Sequence, residues 1–196
     1  MMKLSNWKRN FLLFLVPFVL LSPFTAAEGQ SSAASTPCGK AKIALGNPVY
    51  LTISTATIAV EPPQGWALEA SKKNPFYFIK SGEKYENART LMYINIERLD
   101  GPFQSAVQKD AHSFSESCQP SRIEDSAQVE ILEQGCEKKT LLFRCGKSQG
   151  AYVDLATKIS VGGLLVNVVL SADNEAEISR YRKDYEFLLK HLALVN

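Results

Sequence analysis

The side chains best suited to chemistry in this chain are four cysteines, Cys38, Cys118, Cys136 and Cys145, and two histidines, His112 and His191. No two cysteines stand two to four residues apart, so the ligand pairs of a structural zinc site are missing, and neither histidine is placed to supply them. His112 and Cys118 suggest a base and a nucleophile, but their spacing on a helix of 3.6 residues per turn puts them on different faces. The polar neighbours Lys109, Asp110, Ser113 and Ser115 make His112 a solvated helix residue. His191 reads as the last turn of a C-terminal helix, where the carbonyl ends favour an imidazole as a cap. No G-x-S-x-G elbow marks a serine nucleophile.

Gly146-Lys147-Ser148 has the form of the end of a phosphate-binding loop, but Leu141 stands where its first glycine is required. The segment joins two expected strands instead of opening a helix, so it reads as a hairpin turn. Glu97 and Asp100 are candidates for paired carboxylates, and Asp100 is better explained as the cap of the helix that follows. A calcium loop needs several oxygen ligands at regular offsets, and no such run is present. The aromatic residues Trp66, Phe76, Tyr77, Phe78 and Tyr85 crowd one part of the chain. Core packing accounts for most of them; Trp66, Tyr77 and Tyr85 are the candidates for a ligand groove or a protein-docking surface. Lysines at 72, 73, 80 and 84 make the surrounding loops mildly basic.

Four cysteines in an exported chain imply two disulfides. If residues 129–134 and 140–145 form a hairpin turning at 137–139, Cys145 lies roughly 16 Å along the strand from Cys136. Bonded partners need Cα atoms within about 7 Å. That spacing disfavours Cys136 with Cys145 and places Cys145 toward the end of the hairpin where the chain arrives from Cys118, so the expected pairing is Cys118 with Cys145, which leaves Cys38 to Cys136.

Export itself is read from the N-terminus. Lys3, Lys8 and Arg9 precede an uncharged apolar run at residues 11–21, too short to cross a ~30 Å hydrocarbon core as a helix, and Thr25, Ala26 and Ala27 fit a cleavage site. Residues 1–27 are thus expected to be a signal peptide, 28–42 a flexible Ser/Ala/Gly leader, and 43–196 the folded domain, with no stable membrane span after cleavage. Cleavage removes three of the 22 Lys and Arg and none of the 20 Asp and Glu, which takes the net charge from +2 to −1. A near-neutral chain without a basic cluster argues against a nucleic-acid partner. The composition, 45% hydrophobic and 21% charged, is that of an ordinary globular protein.

These residues must be positioned by a strand-rich middle. Residues 49–60 are rich in β-branched side chains, as one long strand or two short ones, and Pro62-Pro63-Gln64-Gly65 ends them. Short strands are expected at 66–69 and 76–80. Met92, Ile94 and Ile96 alternate with Tyr93, Asn95 and Glu97, which predicts a strand with one dry face. Phe103, Val107, Ala111 and Phe114 recur at helical spacing up to Ser117. Four more strands are expected at 128–134, 140–145, 151–160 and 164–171, the last covered on both faces. Ile178, Tyr181, Tyr185, Leu188 and Leu192 form the stripe of a C-terminal helix with Asp173 as its cap. The predicted fold class is α+β, a single domain with a mainly antiparallel sheet covered by helices in an α/β/α sandwich.

This order of elements, with the Pro63-Gln64-Gly65-Trp66 turn and the aromatic-aliphatic helix from Tyr181 to Leu192, resembles the PsbP and Mog-type fold, the PsbP-like and DcrB-like family. The resemblance runs from Val49 to the end. It implies a binding or assembly factor without turnover, since that family includes an accessory subunit of the photosynthetic water-splitting complex, a nuclear Ran-binding protein and the bacterial envelope protein DcrB. It carries over no binding residues.

The expected function is that of an exported, periplasmic or extracellular, non-catalytic factor of the cell envelope with no cofactor and no metal, acting on an envelope protein partner. Two alternatives are a small-ligand carrier with an aromatic groove near Trp66 and Tyr77, and a hydrolase whose site is assembled only in space.

Overall fold

The alternation around Met92 is realised as strand β5 (Thr90–Arg98), in which Met92, Ile94 and Ile96 are buried and Tyr93 and Asn95 lie on the other face. In the computed structural model, which describes residues 46–53, 56–69, 73–127, 136–146 and 150–195, β5 belongs to a seven-stranded antiparallel sheet. The expected signal peptide (1–27) and leader (28–42) lie outside the described residues, as does the strand expected at 128–134.

Residues 49–60 form two strands, β1 (Val49–Ile53) and β2 (Ala56–Val60), paired antiparallel. The turn after β2 is closed by Trp66 N–H on Pro63 O at 3.0 Å, and Gly65 takes the positive φ, 78°, that a side chain resists. There follow β3 (Trp66–Leu68), β4 (Phe76–Lys80), a 3₁₀ turn at Tyr85–Asn87, β5, helix α1 (Phe103–Ser117), β6 (Ser121–Asp125), β7 (Lys138–Cys145), β8 (Tyr152–Val161), β9 (Leu164–Ala172), helix α2 (Glu175–Lys190) and β10 (Leu192–Val195). Gly162 and Gly163, both at positive φ, make the two-residue turn between β8 and β9 that a right-twisted hairpin favours.

The large sheet runs β3-β4-β5-β9-β8-β7-β6, and a small one runs β1-β2-β10. β9 is the central strand, which is why both its faces are apolar: Val166, Val168 and Leu170 are buried on one side, Leu165 and Val169 on the other. The α2 helix and the small sheet cover the first face through Ile178, Tyr185, Leu188, Leu189, Ile58 and Val60. The opposite face receives α1 through Phe103 and Val107. An α+β sandwich with all strands antiparallel results.

Four local expectations are corrected. The cap of α2 is Asn174, whose side chain accepts from Glu177 N–H at 3.1 Å; Asp173 stands one residue too early to reach that donor. Helix α1 starts at Pro102 without a side-chain cap, and Asp100 instead lies 3.5 Å from Arg98. Residues 138 and 139, expected in a turn, are strand, because Lys138 and Lys139 pair with Ile159 and Lys158 of β8. The terminal helix stops at Lys190, and Leu192 begins β10, which pairs with β2. His191 is therefore the residue that ends the helix, its ring nitrogen 2.9 Å from Phe187 O and its ring stacked on Phe187 at 3.9 Å.

Candidate functional site

In the β3–β4 pair, Trp66 stands opposite Lys80, so both side chains leave the sheet on the α2 side. Helix α2 brings Tyr181 and Asp184 to the same place. The buried Trp66 donates its indole N–H to Asp184 Oδ2 at 2.8 Å and meets the Tyr181 ring edge-on at 5.6 Å. Lys80 Nζ sits between the two rings, 4.6 Å from the Trp66 centroid and 4.5 Å from that of Tyr181, and 3.5 Å from Asp184 Oδ2. One carboxylate thus serves an indole and an ammonium held between two π faces, an arrangement that fixes the hairpin on the helix.

Two clefts open on either side of this cluster. One, of about 600 Å³, is walled by Pro62, Pro63, Trp66 and Phe187, with Glu61 and Asp184 at its edges. The other, of about 470 Å³, is lined by Lys80, Arg89, Arg180 and Tyr181 together with Glu83 and Glu177. Both volumes fall in the range of small-molecule sites, and the first has the more apolar walls.

The sequence candidates are not gathered into one groove. Tyr77 pairs with Tyr93 of β5 and points to the face opposite Trp66, because side chains alternate along β4. Its ring centre lies 4.8 Å from that of Tyr85 and 5.7 Å from that of Tyr93. Burial, then the neighbouring Tyr77, Glu69 and Glu86, push the Tyr85 hydroxyl well above its ordinary range; burial and Asp154 do the same to Tyr93. Tyr77 is raised by burial too. These phenols are neutral donors at physiological pH.

Cys118 and Cys145 form a disulfide with Cα atoms 5.6 Å apart. The strand beside Cys145 is β6, with Ser121 opposite it, so the bond ties the end of α1 to the first pair of that ladder. Cys136 is also disulfide-bonded; Cys38, the partner expected from sequence, lies outside the described residues. His112 is exposed and 3.2 Å from Glu116 on its own helix. Glu97 accepts from Asn95 Nδ2, so it and Asp100 are engaged with different neighbours. Lys147 and Ser148 are outside the described residues, and no group of three or more metal-ligating side chains occurs among those described. No described helix is long and apolar enough to cross a membrane.

Lys80, Tyr181 and Asp184 were not site candidates from sequence. Lys80 was legible in one respect, since it shares the parity of Phe76 and Phe78 in β4, but nothing short of the packed helix shows what it meets.

The fold and site define a helix-covered antiparallel α+β sandwich with an aromatic-cation cluster between its edge hairpin and its C-terminal helix. No protein-family profile and no curated protein sequence matches the chain. Among solved structures it is similar to LpqN of Mycobacterium tuberculosis, a protein involved in cell envelope biogenesis, at 12% identity and a TM-score of 0.54 over 76% of this chain and 90% of that one. It is similar as well to the PsbP of Synechocystis sp. PCC 6803, at 15% identity and a TM-score of 0.49, covering 82% of this chain and 98% of that chain. A third similar structure is the Pseudomonas aeruginosa protein PA94, of unknown function, at 10% identity and a TM-score of 0.47, covering 72% of this chain and 92% of that chain. The likeness to LpqN is one of fold.

Proposed function

We propose that the chain is an exported, non-catalytic binding or assembly factor of the cell envelope that acts through protein–protein contacts. The observation that carries this reading is how the reactive side chains are used. Cys118 and Cys145 are oxidised, His191 is stacked on Phe187 and bonded to its carbonyl, and the exposed His112 lies 3.2 Å from Glu116 on its own helix. A cleft walled by Trp66, Phe187, Pro62 and Pro63 is left open. A disulfide buried in the sheet supports an oxidising compartment, and the structurally similar LpqN takes part in envelope biogenesis. The test is a photo-crosslinking amino acid at the exposed Gln64, on the rim of the larger cleft, in the full-length protein expressed in its native cells. One specific envelope protein should be captured, and the adduct should disappear with Trp66→Ala; the absence of any adduct from Gln64 or from the exposed Lys84 would overturn the reading.

A second reading, a small-ligand carrier, is favoured by the volume and walls of the larger cleft. It uses Trp66, Pro62, Pro63 and Phe187, with Tyr77 on the other side of the sheet. Native mass spectrometry of protein purified from its own cells would show a bound small molecule that Phe187→Ala releases.

A further inference from the structure

Among the described residues the two sheets end in four edge strands, β3 and β6 of the large sheet and β1 and β10 of the small one. An open edge invites another strand unless charge, brevity or a cover blunts it. β6 carries Arg122, Glu124 and Asp125, β3 is three residues long, and β10 lies against the β8–β9 turn, where a Cβ on Gly162 would come within 2.8 Å of Leu194. β1 has none of these protections: its five residues, Val49 to Ile53, include no charge and no proline.

Hydrogen-bond parity in the small sheet shows what that edge offers. Glu61 N–H donates to His191 O in register with the β2–β10 ladder, so Ala59 and Thr57 serve β10. Alternation along β2 leaves Ala56, Ile58 and Val60 to serve β1 through Ile53, Leu51 and Val49. The backbone N–H and C=O of Tyr50 and Thr52 therefore point away from β2, out of the sheet edge. Both side chains are exposed as well, that of Tyr50 at 62%.

We propose that β1 pairs antiparallel with β1 of a second copy of this chain, about a two-fold axis at Leu51, joining the two three-stranded sheets into one. Tyr50 of each copy then stands opposite Thr52 of the other, and each such pair exchanges both backbone hydrogen bonds, which satisfies every outward group of the strand. No other register does so. Centring the axis on Tyr50 sets Thr52 against Pro48, which has no N–H to give, and centring it on Thr52 carries Tyr50 past the end of the strand. The side chains are self-complementary too: Tyr50 meets a threonine methyl on the outer face, Val49 meets Ile53 on the inner one, and no charge is buried. Val49 and Ile53 are only half-buried at the border of the core, and a neighbouring strand covers what remains of them. This inference does not use the clefts beside Trp66, and it does not depend on where the protein resides.

The test is sedimentation velocity of the oxidised protein purified from its own cells, from about 5 to about 500 μM, because an interface built on one strand pair is small. A monomer–dimer equilibrium should appear. Thr52→Pro should weaken it at least about tenfold, since it deletes an edge N–H that β2 does not use. Thr52→Val loses the same hydroxyl but keeps that N–H, and it should dimerise as the parent does. Thermal unfolding verifies that each variant is folded. Cross-linking reads the register independently of the proline variant: a mixture of Tyr50→Cys and Thr52→Cys proteins should be joined by a short bis-thiol reagent several-fold faster than either alone. A monomer throughout the range, undiminished dimerisation of folded Thr52→Pro, cross-linking no faster in the mixture, or a stoichiometric complex with a different protein in place of the dimer would overturn the proposal.

Discussion

Trp66 and Asp184 stand 118 residues apart in the chain and meet in one hydrogen bond of 2.8 Å, indole N–H on carboxylate. That contact joins the edge hairpin of the large sheet to the middle of α2, and it places Lys80 against two rings. The clefts on either side exist because this wall stands between them.

Removing only the donor tests the wall. Trp66→Phe keeps most of the ring but leaves Asp184 with Lys80 and water, and should cost about 1–2 kcal/mol. Asp184→Asn keeps an acceptor and gives up a partly exposed ion pair, worth at most ~1 kcal/mol. Urea unfolding should show a lower midpoint at unchanged slope for both, with the larger drop for Trp66→Phe.

The tyrosines set an alkaline limit. Tyr185 is fully buried, its hydroxyl 2.7 Å from Thr157 Oγ1 and 3.0 Å from Val168 O, and burial holds its ionisation far above the ordinary value near 10. Tyr93, Tyr85 and Tyr152 are raised by burial as well. Above pH 10 the unfolded chain releases these protons while the folded one keeps them, so the unfolded state binds fewer protons and stability falls as pH rises. Stability should be flat from neutral pH to about 9.5 and then decline. Tyr185→Phe should make that decline shallower, with a baseline cost of about 1–2 kcal/mol from the lost hydroxyl contacts to Thr157 and Val168.

Lys158 is 2% exposed and paired with Asp110, whose side chain is 46% exposed. Asp110→Ala strands an ammonium under α1 and should cost about 2–3 kcal/mol. Lys158→Met removes the charge and keeps the stem, so it should fall within ~1 kcal/mol of the parent. In the double variant Lys158→Met should rescue Asp110→Ala, as read by thermal unfolding.

The Cys118–Cys145 bond closes a sequence separation of 27 residues. Replacing both cysteines by alanine should cost about 3 kcal/mol through the freer unfolded chain. The loss should appear as a lower melting temperature, and added dithiothreitol should lower that of the parent protein by at least as much, since it also reduces the bond at Cys136.

Local chemistry accounts for most of the strands and for α1. Met92, Ile94 and Ile96 could only be the dry side of a strand, and Phe103 and Val107 could only be the inner stripe of a helix, since each periodicity matches one backbone geometry. Two glycines at 162 and 163 mark a hairpin wherever they separate apolar strands. The helix caps were misplaced by one or two residues because Asp100, Asp173 and Asn174 have similar capping chemistry. Which of them caps depends on the φ and ψ of its own residue.

Sequence by itself thus determined which segments are extended, which are helical and which side of each is dry, because those properties follow from side-chain order along a single backbone. Only the tertiary structure decided the partners. Leu192 continues the apolar stripe of α2, yet it leaves the helix because β2 offers backbone groups to pair with. Cys145 lies beside Ser121 because β6 supplies the edge of β7. Trp66 and Tyr77, neighbours in an aromatic stretch, face opposite sides of the sheet because the β3–β4 register sets Trp66 against Lys80. Register depends on contacts between distant segments, and no window of sequence contains both sides of such a contact.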